Sequence, residues 1–540
     1  MMGFLNKKID NVTVAAFLVA SFSLLSRILG VLRDRMLAGH FGVGDELDIY
    51  YAAFRIPDLL FNLLVLGALS AGFIPVFTGL IGMFNYDKMS KEANDLVSAI
   101  INWLSLVLIG LGFLGFIFAP WLLKIITPGF GPEKLAMTVQ LTRVMFLSPI
   151  LLGLSSVLGG VLQSYKKFFV YSLAPIFYNL GIIAAVIFAV PIYGVYALAW
   201  GVVIGAGLHL LVQVPAVWQL GWRWHWSLPW TDKNVLKIFK MTTARTLSLA
   251  INQINLIVTT SLASLLAVGS LTVFNLANNL QSFPIGIFGI SFAIAVFPAL
   301  SACAFNRQQL IERFSKTFRQ IMFFMIPATG LFIALRSQIV RVALGSGQFN
   351  WEHTQLTMDA MALFAVSFFA QATIPLLVRV FYARHDSKTP FYVGLVSVVV
   401  NIAGAWWFGQ SMGAIGLAAA FSVSSIVNFI MLWLVLRTEL ENLDEGRIIQ
   451  SIFKFSVASA VALVFIQLVK VLVAEVVNMN SFLGVATQVV IATIVGTVVY
   501  LIITWLLRSE EFLEFKQSIV NRGLAKKFKG GEDQSEARGI

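Results

Sequence analysis

Apolar runs of membrane-crossing length follow one another through almost the whole chain, separated only by short polar breaks. A helix needs about 20 apolar residues to cross the hydrocarbon core of a bilayer, so lipid is the solvent for most of this chain. Charged residues make up 12% of the 540 residues and hydrophobic ones 58%, with a mean hydropathy of +0.85. That is too little charge to cover a water-soluble protein of this length. Membrane β-strands alternate apolar and polar side chains, whereas these runs are continuous and rich in Gly, Ala and Leu. The expected class is therefore an all-α polytopic membrane protein with about fourteen transmembrane helices. The spans are expected at roughly 12–38, 47–81, 96–119, 136–162, 168–190, 193–218 and 236–267. The remainder are expected at roughly 272–303, 317–335, 356–382, 390–409, 412–436, 451–474 and 482–507.

The Lys and Arg residues between these spans fall almost wholly on one side. That side holds Lys7, Lys8, Lys88, Lys91, Lys166, Lys167, Arg223, Lys233, Lys237, Lys240, Arg307, Arg313 and the cluster from Arg508 to Lys529. The other side holds only Lys124, Lys134, Arg336, Arg341 and at most Lys470. The positive-inside rule then places both termini in the cytoplasm, as an even span count requires. The net charge of +12 thus reports topology, with contact to anionic lipid headgroups as a second role and no nucleic-acid partner expected. Met1–Asp10 does not read as a cleavable signal, and the apolar segment after it runs on to about Ala38 with no small-residue cleavage pattern, so that segment is expected to be retained as helix 1. A single cysteine, Cys303, excludes an internal disulfide framework, and the five histidines show no ligand spacing. No metal and no cofactor are expected.

Three sequence matches recur in order at a nearly constant offset. Gly67-Ala-Leu to Pro75 answers to Gly289-Ile-Ser to Pro298, Thr127-Pro-Gly-Phe130 to Ser346-Gly-Gln-Phe349, and Gly194-Val-Tyr-Ala-Leu-Ala199 to Gly413-Ala-Ile-Gly-Leu-Ala418. Six helices per repeat gives two lobes inserted in parallel, 1–218 and 219–437, followed by two extra helices in 438–507 and a cytoplasmic tail, 508–540. Two such lobes suit a transporter that rocks around a central cavity.

Ionisable residues inside spans are costly and mark cavities or partners. Helix 1 carries Arg27, Arg33 and Asp34, and helix 2 carries Asp48, Arg55 and Asn62 at spacings of seven, beside Pro57. Arg143 lies in helix 4 and Arg245 near the start of helix 7. One reading is a cationic cavity for an anionic headgroup, because guanidinium binds phosphate oxygens through paired donors. The other is structural ion pairing or snorkelling to an interface. Helix 7 aligns Asn252, Asn255 and Thr259, and helix 8 aligns Asn275, Asn278, Asn279 and Ser282, either to line a wet cavity or to bond between helices.

At Ser26-Arg-Ile-Leu-Gly-Val-Leu-Arg-Asp34, Asp48 to Pro57, Gly67 to Pro75, Phe283 to Ile290 with Phe297-Pro298, and Phe381-Tyr-Ala-Arg-His-Asp-Ser-Lys-Thr-Pro390, the chain resembles the MurJ/MviN family over about residues 12–507. The resemblance implies a lipid II flippase of the multidrug/oligosaccharidyl-lipid/polysaccharide exporter superfamily, not an enzyme, located in the bacterial inner membrane. It implies fourteen helices, a lateral groove at helices 13 and 14 for the lipid tail, and alternating access driven by membrane potential or an ion gradient. The partners implied are lipid II (undecaprenyl-pyrophosphate-linked disaccharide pentapeptide) and membrane lipids, and a monomer is expected. Carried over by position, Arg27 and Arg33 would hold the pyrophosphate, while Asp34 and Asp48 would position them or gate the outward side.

The chain departs from the family at Asn62 and Asn279, where cavity arginines are usual, and at Leu66 and Ser282, where acidic residues are usual. Arg55, Arg143 and Arg245 are the candidates to take over. Thr259 and Ala405 stand where some relatives bind sodium through acidic groups, so no sodium site is expected. The alternatives are an exporter of another undecaprenyl-pyrophosphate-linked oligosaccharide, a drug exporter of the same superfamily, a membrane-embedded transferase, or a scaffold without transport.

Overall fold

The computed structural model of the chain describes residues 12–66, 72–81 and 88–517, without the side chains of 12–17, 66, 243–249 and 252. The start Met1–Asp10, the first part of the Gly67–Pro75 motif and the tail beyond 517 lie outside the described residues. Among the described residues all regular structure is helical. The first rods are α1 Val12–Phe41 and α2, which comes in pieces, Asp45–Ala53, Arg55–Leu60, a π-helical turn Phe61–Leu66, and Ile74–Ile81. Next come α3 Lys91–Ile126, α4 Pro132–Ser164, α5 Phe168–Tyr193 and α6 Tyr196–Gln219. Then come α7 Lys233–Ser264, α8 Ser270–Ala302 and α9 Arg307–Ala334. The series ends with α10 in two pieces, Trp351–Val366 and Phe368–Ala383, α11 Lys388–Met412, α12 Ala414–Leu440, α13 Glu445–Val476 and α14 Phe482–Leu506. Ten of these are long and apolar enough to cross a membrane, and α10, bent by 47°, is an eleventh. With α1, α2 and α7 the described residues supply the expected fourteen rods.

Several helices overrun their apolar stretches. α3 starts at Lys91 and runs to Ile126 instead of 96–119, and α9 starts at Arg307 instead of 317. The cause is capping: the Ser90 hydroxyl accepts from the Ala93 N–H, and the Asn306 side chain from the Gln309 N–H, so each helix begins in its polar flank. At the start of α11 the cap is Asp386, which accepts from the Lys388 and Thr389 N–H groups at 2.8 and 3.1 Å, and not Thr389 as its position suggests. The bend in α10 has a local reason as well. The Ser367 hydroxyl lies 3.0 Å from the Phe364 carbonyl, one of its possible acceptors, and 2.9 Å from the Ser422 hydroxyl.

Two of the three repeat matches recur as matching turns, and the start of the third lies outside the described residues. Phe130 N–H bonds the Thr127 carbonyl at 3.1 Å, and Phe349 N–H bonds the Ser346 carbonyl at 3.0 Å. Gly194 and Gly413 both sit at φ +58°, each closing the helix before it, a conformation that L side chains rarely adopt. The π-helical turns Phe61–Leu66 in α2 and Ile285–Ile290 in α8 fall at corresponding positions too.

The chain forms two compact units, Met1–Leu280 with Ala343–Ala360 and Val398–Phe421, and Gln281–Val342 with Met361–Ser397 and Ser422–Ile540. In the first, α5 packs on α1 and α6, and α4 packs on α3 and α6. Its core includes Phe73, Phe77 and Tyr165, with Phe73 and Phe77 stacked at 5.1 Å. The α5–α6 crossing is close because both helices present glycine: a Cβ on Gly181 would stand 2.5 Å from the Gly205 Cα. Gly181→Ala is therefore expected to force the pair apart at a cost of about 1–3 kcal/mol. A lowered thermal midpoint in detergent is the expected reading, and an unchanged midpoint would mean that the crossing is not tightly packed.

In the second unit, α9 packs on α13 and the second piece of α10, and α13 packs on α14. Phe314, Phe318 and Trp433 form its aromatic centre together with Phe429. Large apolar side chains point outward on the long spans, such as Phe113 and Trp121 on α3 and Leu472 and Val490 on α13 and α14. In lipid this exposure carries no hydrophobic penalty.

Candidate functional site

Polar side chains gather inside the first unit where α1, α2, α5, α7 and α8 supply them. Asp34 is buried, and Arg33 donates to its Oδ1 from Nε at 3.0 Å and from Nη2 at 2.8 Å. Its other oxygen, Oδ2, accepts from the Asn279 amide at 2.9 Å. Arg33 also reaches Asn179 Oδ1 at 3.2 Å, and the Asn179 amide in turn donates to Ser26 and to the Pro175 carbonyl. So Asp34 pairs with its chain neighbour Arg33, and Arg27, placed on its face by helical spacing, lies half-buried two turns earlier on α1. Asn279, standing where the family arginine is usual, keeps a hydrogen-bond donor to Asp34 but brings no charge.

Asp48 closes one end of this unit. Its Oδ1 accepts from the Thr272 N–H at 2.9 Å and the Thr272 hydroxyl at 2.8 Å, and its Oδ2 from the Gly269 N–H at 2.8 Å and Lys134 Nζ at 3.0 Å. A carboxylate on the first turn of α8 satisfies orphan N–H groups and meets the positive end of the helix dipole. Lys134 is held further by Asp45 at 2.6 Å and lies over the Phe130 ring at 4.1 Å. The same end is tied twice more. Gln348 N–H bonds the Gly39 carbonyl at 2.8 Å, and Gly129 N–H bonds the Ser264 hydroxyl at 3.2 Å.

Arg55 sits on α2 between these two centres. Its Nε donates to Thr260 Oγ1 on α7 at 2.7 Å and its Nη2 to Asn275 Oδ1 on α8 at 2.7 Å. Both hydrogen-bond acceptors are neutral and orient the guanidinium, while the Asp58 carboxylate one turn on along α2 acts on its charge without a direct bond. This differs from Arg33, whose guanidinium bonds the Asp34 carboxylate directly. The expected stripe of Asp48, Arg55 and Asn62 is dispersed. Pro57 has no N–H for the Ala53 carbonyl, and the backbone turns π-helical from Phe61. Asn62 then folds back, donating to the Asp58 carbonyl of its own helix at 2.8 Å.

Arg143 stands apart from the cluster. Its Nε donates to the Phe116 carbonyl at 3.1 Å, and its guanidinium lies over the Phe116 ring at 4.8 Å, on the largely exposed face of α3. The side chain of Arg245 lies outside the described ones. Asn255 and Thr259 bond across to the Asn401 amide of α11 at 2.7 and 3.2 Å, which is the packing use of the amide row. Sequence reasoning missed Asn179, Thr260, Thr272 and Lys134 as members of the network. An isolated amide in the apolar α5 was the one visible signal, for Asn179.

A helical polytopic chain with half-buried, hydrogen-bonded arginines inside one unit and apolar faces outside is built as a membrane transporter. The family described as "Lipid II flippase MurJ" matches residues 37–501. A "Probable lipid II flippase MurJ" of Buchnera aphidicola subsp. Acyrthosiphon pisum (strain APS) is 29% identical over 420 residues, covering 77% of this chain and 81% of that one. Among solved structures, one described as "Lipid II flippase MurJ, inward closed conformation" superposes with a TM-score of 0.74 at 23% identity, covering 91% of this chain and 98% of its own. An inward-facing multidrug resistance MATE family transporter of the MOP superfamily superposes at 0.65 and 14% identity, covering 80% and 99%. The chain belongs to the MurJ lipid II flippase family.

Proposed function

We propose that this chain moves lipid II from the inner to the outer leaflet of the bacterial inner membrane by alternating access, without catalysing a covalent step. The observation that carries the reading is Arg55, whose guanidinium is fixed inside a membrane unit by two neutral acceptors, Thr260 and Asn275. A guanidinium fixed by neutral hydrogen bonds, with no carboxylate bonded to it directly, can turn its donors to a pyrophosphate in a low-dielectric site. Arg33 joins it when the anion competes with Asp34, and Arg27 lies along the same helix. Asn279 keeps an amide donor in the network, while Asn62, turned to its own backbone, is free to join the cavity only if that bond opens. Arg143 and Arg245 serve as accessory cations outside this pair.

In this reading the Lys- and Arg-rich side faces the cytoplasm with both termini, and the end closed by Asp48 faces outward. The lobes are 1–218 and 219–437, with helices 13 and 14 (438–507) carrying the lipid tail and 508–540 as tail. The chain works as a monomer with lipid II and membrane lipids as its partners. A second reading, export of another undecaprenyl-pyrophosphate-linked oligosaccharide, draws on the two missing arginines at Asn62 and Asn279, because the sugar and peptide end of the substrate is read by other residues than the phosphate.

Complementation separates the two readings. The chain is produced in a bacterium depleted of its own lipid II flippase, and survival and outer-leaflet lipid II are scored together. Rescue with lipid II restored at the outer leaflet is the expected result. Membrane-inserted protein without rescue favours the second substrate.

A further inference from the structure

Beyond α14, residues 507–517 stay packed on the second unit. The helix closes with Leu507 N–H on the Ile503 carbonyl at 2.9 Å and Ser509 N–H on the Thr504 carbonyl at 3.0 Å, with Arg508 at φ +50°, and residues 510–517 resume as helix. This strap is clamped to α9 and α13. Arg319, buried on α9, donates to Glu511 and, at 3.0 Å, to Glu510. Glu511, itself buried, accepts also from the Ser509 hydroxyl at 2.7 Å and the Ser451 hydroxyl of α13 at 3.0 Å. One turn on, Glu514 takes Lys316 at 2.6 Å and the Gln320 amide at 3.0 Å.

These bonds press one side chain of the strap against an apolar cavity. Phe515 meets the Phe324 ring edge-on at 5.9 Å and the Phe323 ring at 6.3 Å. The cavity, about 470 Å³, runs between α8, α9, α13 and α14, with Phe288, Phe324, Leu331, Leu463, Tyr500 and Phe515 among its walls. Its walls are almost wholly aliphatic and aromatic, and the Tyr500 hydroxyl turns away to the Phe323 carbonyl at 2.7 Å. The hydroxyls of Ser459, Thr493 and Thr497 are its few polar groups, too few for a charged or hydrated ligand, whereas a branched isoprenoid chain matches its chemistry.

We propose that residues 509–517 form a latched lid on this groove, with Phe515 as the stopper and Arg319–Glu511 as the latch, and that the lid sets how fast a polyprenyl chain enters and leaves. The inference rests on the lipid-linked substrate proposed above and adds its regulation. The latch suits the task energetically. Breaking one partner of a buried pair is costly, so the lid stays shut until the whole cluster releases together. Burial pushes the Glu511 carboxyl up, but the Ser509 hydroxyl, its own backbone N–H, the Arg319 guanidinium and Ser451 outweigh that and hold it below the usual carboxylate range. Its stabilisation is therefore fully present above the ordinary carboxylate pKa and is lost only as pH falls through the lowered value, so the latch is closed at neutral pH.

The test uses full-length protein carrying Cys303→Ser, which removes the one native thiol. Exchange of a fluorescent undecaprenyl phosphate is followed in detergent micelles, beside flipping of lipid II in liposomes. Glu511→Gln and Phe515→Ala are each expected to speed exchange about tenfold. Cysteines placed at Phe515 and Phe324 and joined by a short thiol crosslinker are expected to stop exchange until the link is cleaved, which covers the case in which Glu511→Gln fails to fold. Unchanged exchange in the crosslinked protein would overturn the lid. Controlled exchange in a protein that does not flip lipid II would keep the lid and reject the substrate instead.

Discussion

Replacing Asp48 with Ala should open the end of the first unit that this carboxylate closes. Asp48 is 3% exposed and receives four donors, two of them N–H groups at the start of α8. Without it those N–H groups lose their acceptor in a buried place, while Lys134 keeps only Asp45. Orphaned buried donors and a half-broken ion pair cost about 2–4 kcal/mol, and only in the closed arrangement. A shift of that size changes a two-state population roughly 30- to 1,000-fold. The reporter is a cysteine at Ala263, 2% exposed beside the closure, in a Cys303→Ser background. Its labelling by an impermeant maleimide from outside should rise steeply in Asp48→Ala and less in Asp48→Asn, which keeps one acceptor oxygen. Flipping should fall as well, because the carrier then rarely returns to the state closed at this end. Labelling that stays at the parent rate would mean that the Gln348–Gly39 and Gly129–Ser264 bonds hold the end shut alone.

The second large effect concerns Arg33. Arg33→Ala strands the buried Asp34 carboxylate with the Asn279 amide as its remaining cross-helix partner, at a cost of about 3–5 kcal/mol. Under the proposed function it also removes a ligand of the pyrophosphate. Transport is expected to drop about 100-fold or more, since every 1.4 kcal/mol is a factor of ten. Folding and binding are separated by the double change Arg33→Ala with Asp34→Asn. Removing the stranded charge should restore the thermal midpoint, measured in detergent, while outer-leaflet lipid II stays low. If the double variant transports at the parent rate, Arg33 serves only to neutralise Asp34 and binds no substrate.

The helix-2 residues explain where sequence reading stopped. Spacing of seven puts Asp48, Arg55 and Asn62 on one face of a straight α-helix, yet each ends with different company: the α8 N-terminus, the α7–α8 pair, and its own backbone. The missing N–H of Pro57 was legible. The π-helical turn after Leu60 was not, and it rotates every following side chain relative to an ideal helix. For Asn62 and Asn279 the sequence announced the loss of two arginines, but not that Asn279 would remain bonded to Asp34 while Asn62 would withdraw.

From the amino-acid order alone come the helical class, the fourteen rods and the repeat, down to paired glycines at Gly194 and Gly413. These are local consequences: lipid demands that each span satisfy its own backbone, so span length and apolarity are written in consecutive residues. The partners of the buried charges are decided elsewhere. Arg33 with Asn179, Arg55 with Thr260 and Asn275, Asp48 with Thr272, and Arg319 with Glu511 join residues 146 to 224 positions apart. A charge in a low-dielectric interior takes whichever donors packing brings within about 3 Å, and that choice belongs to the tertiary structure.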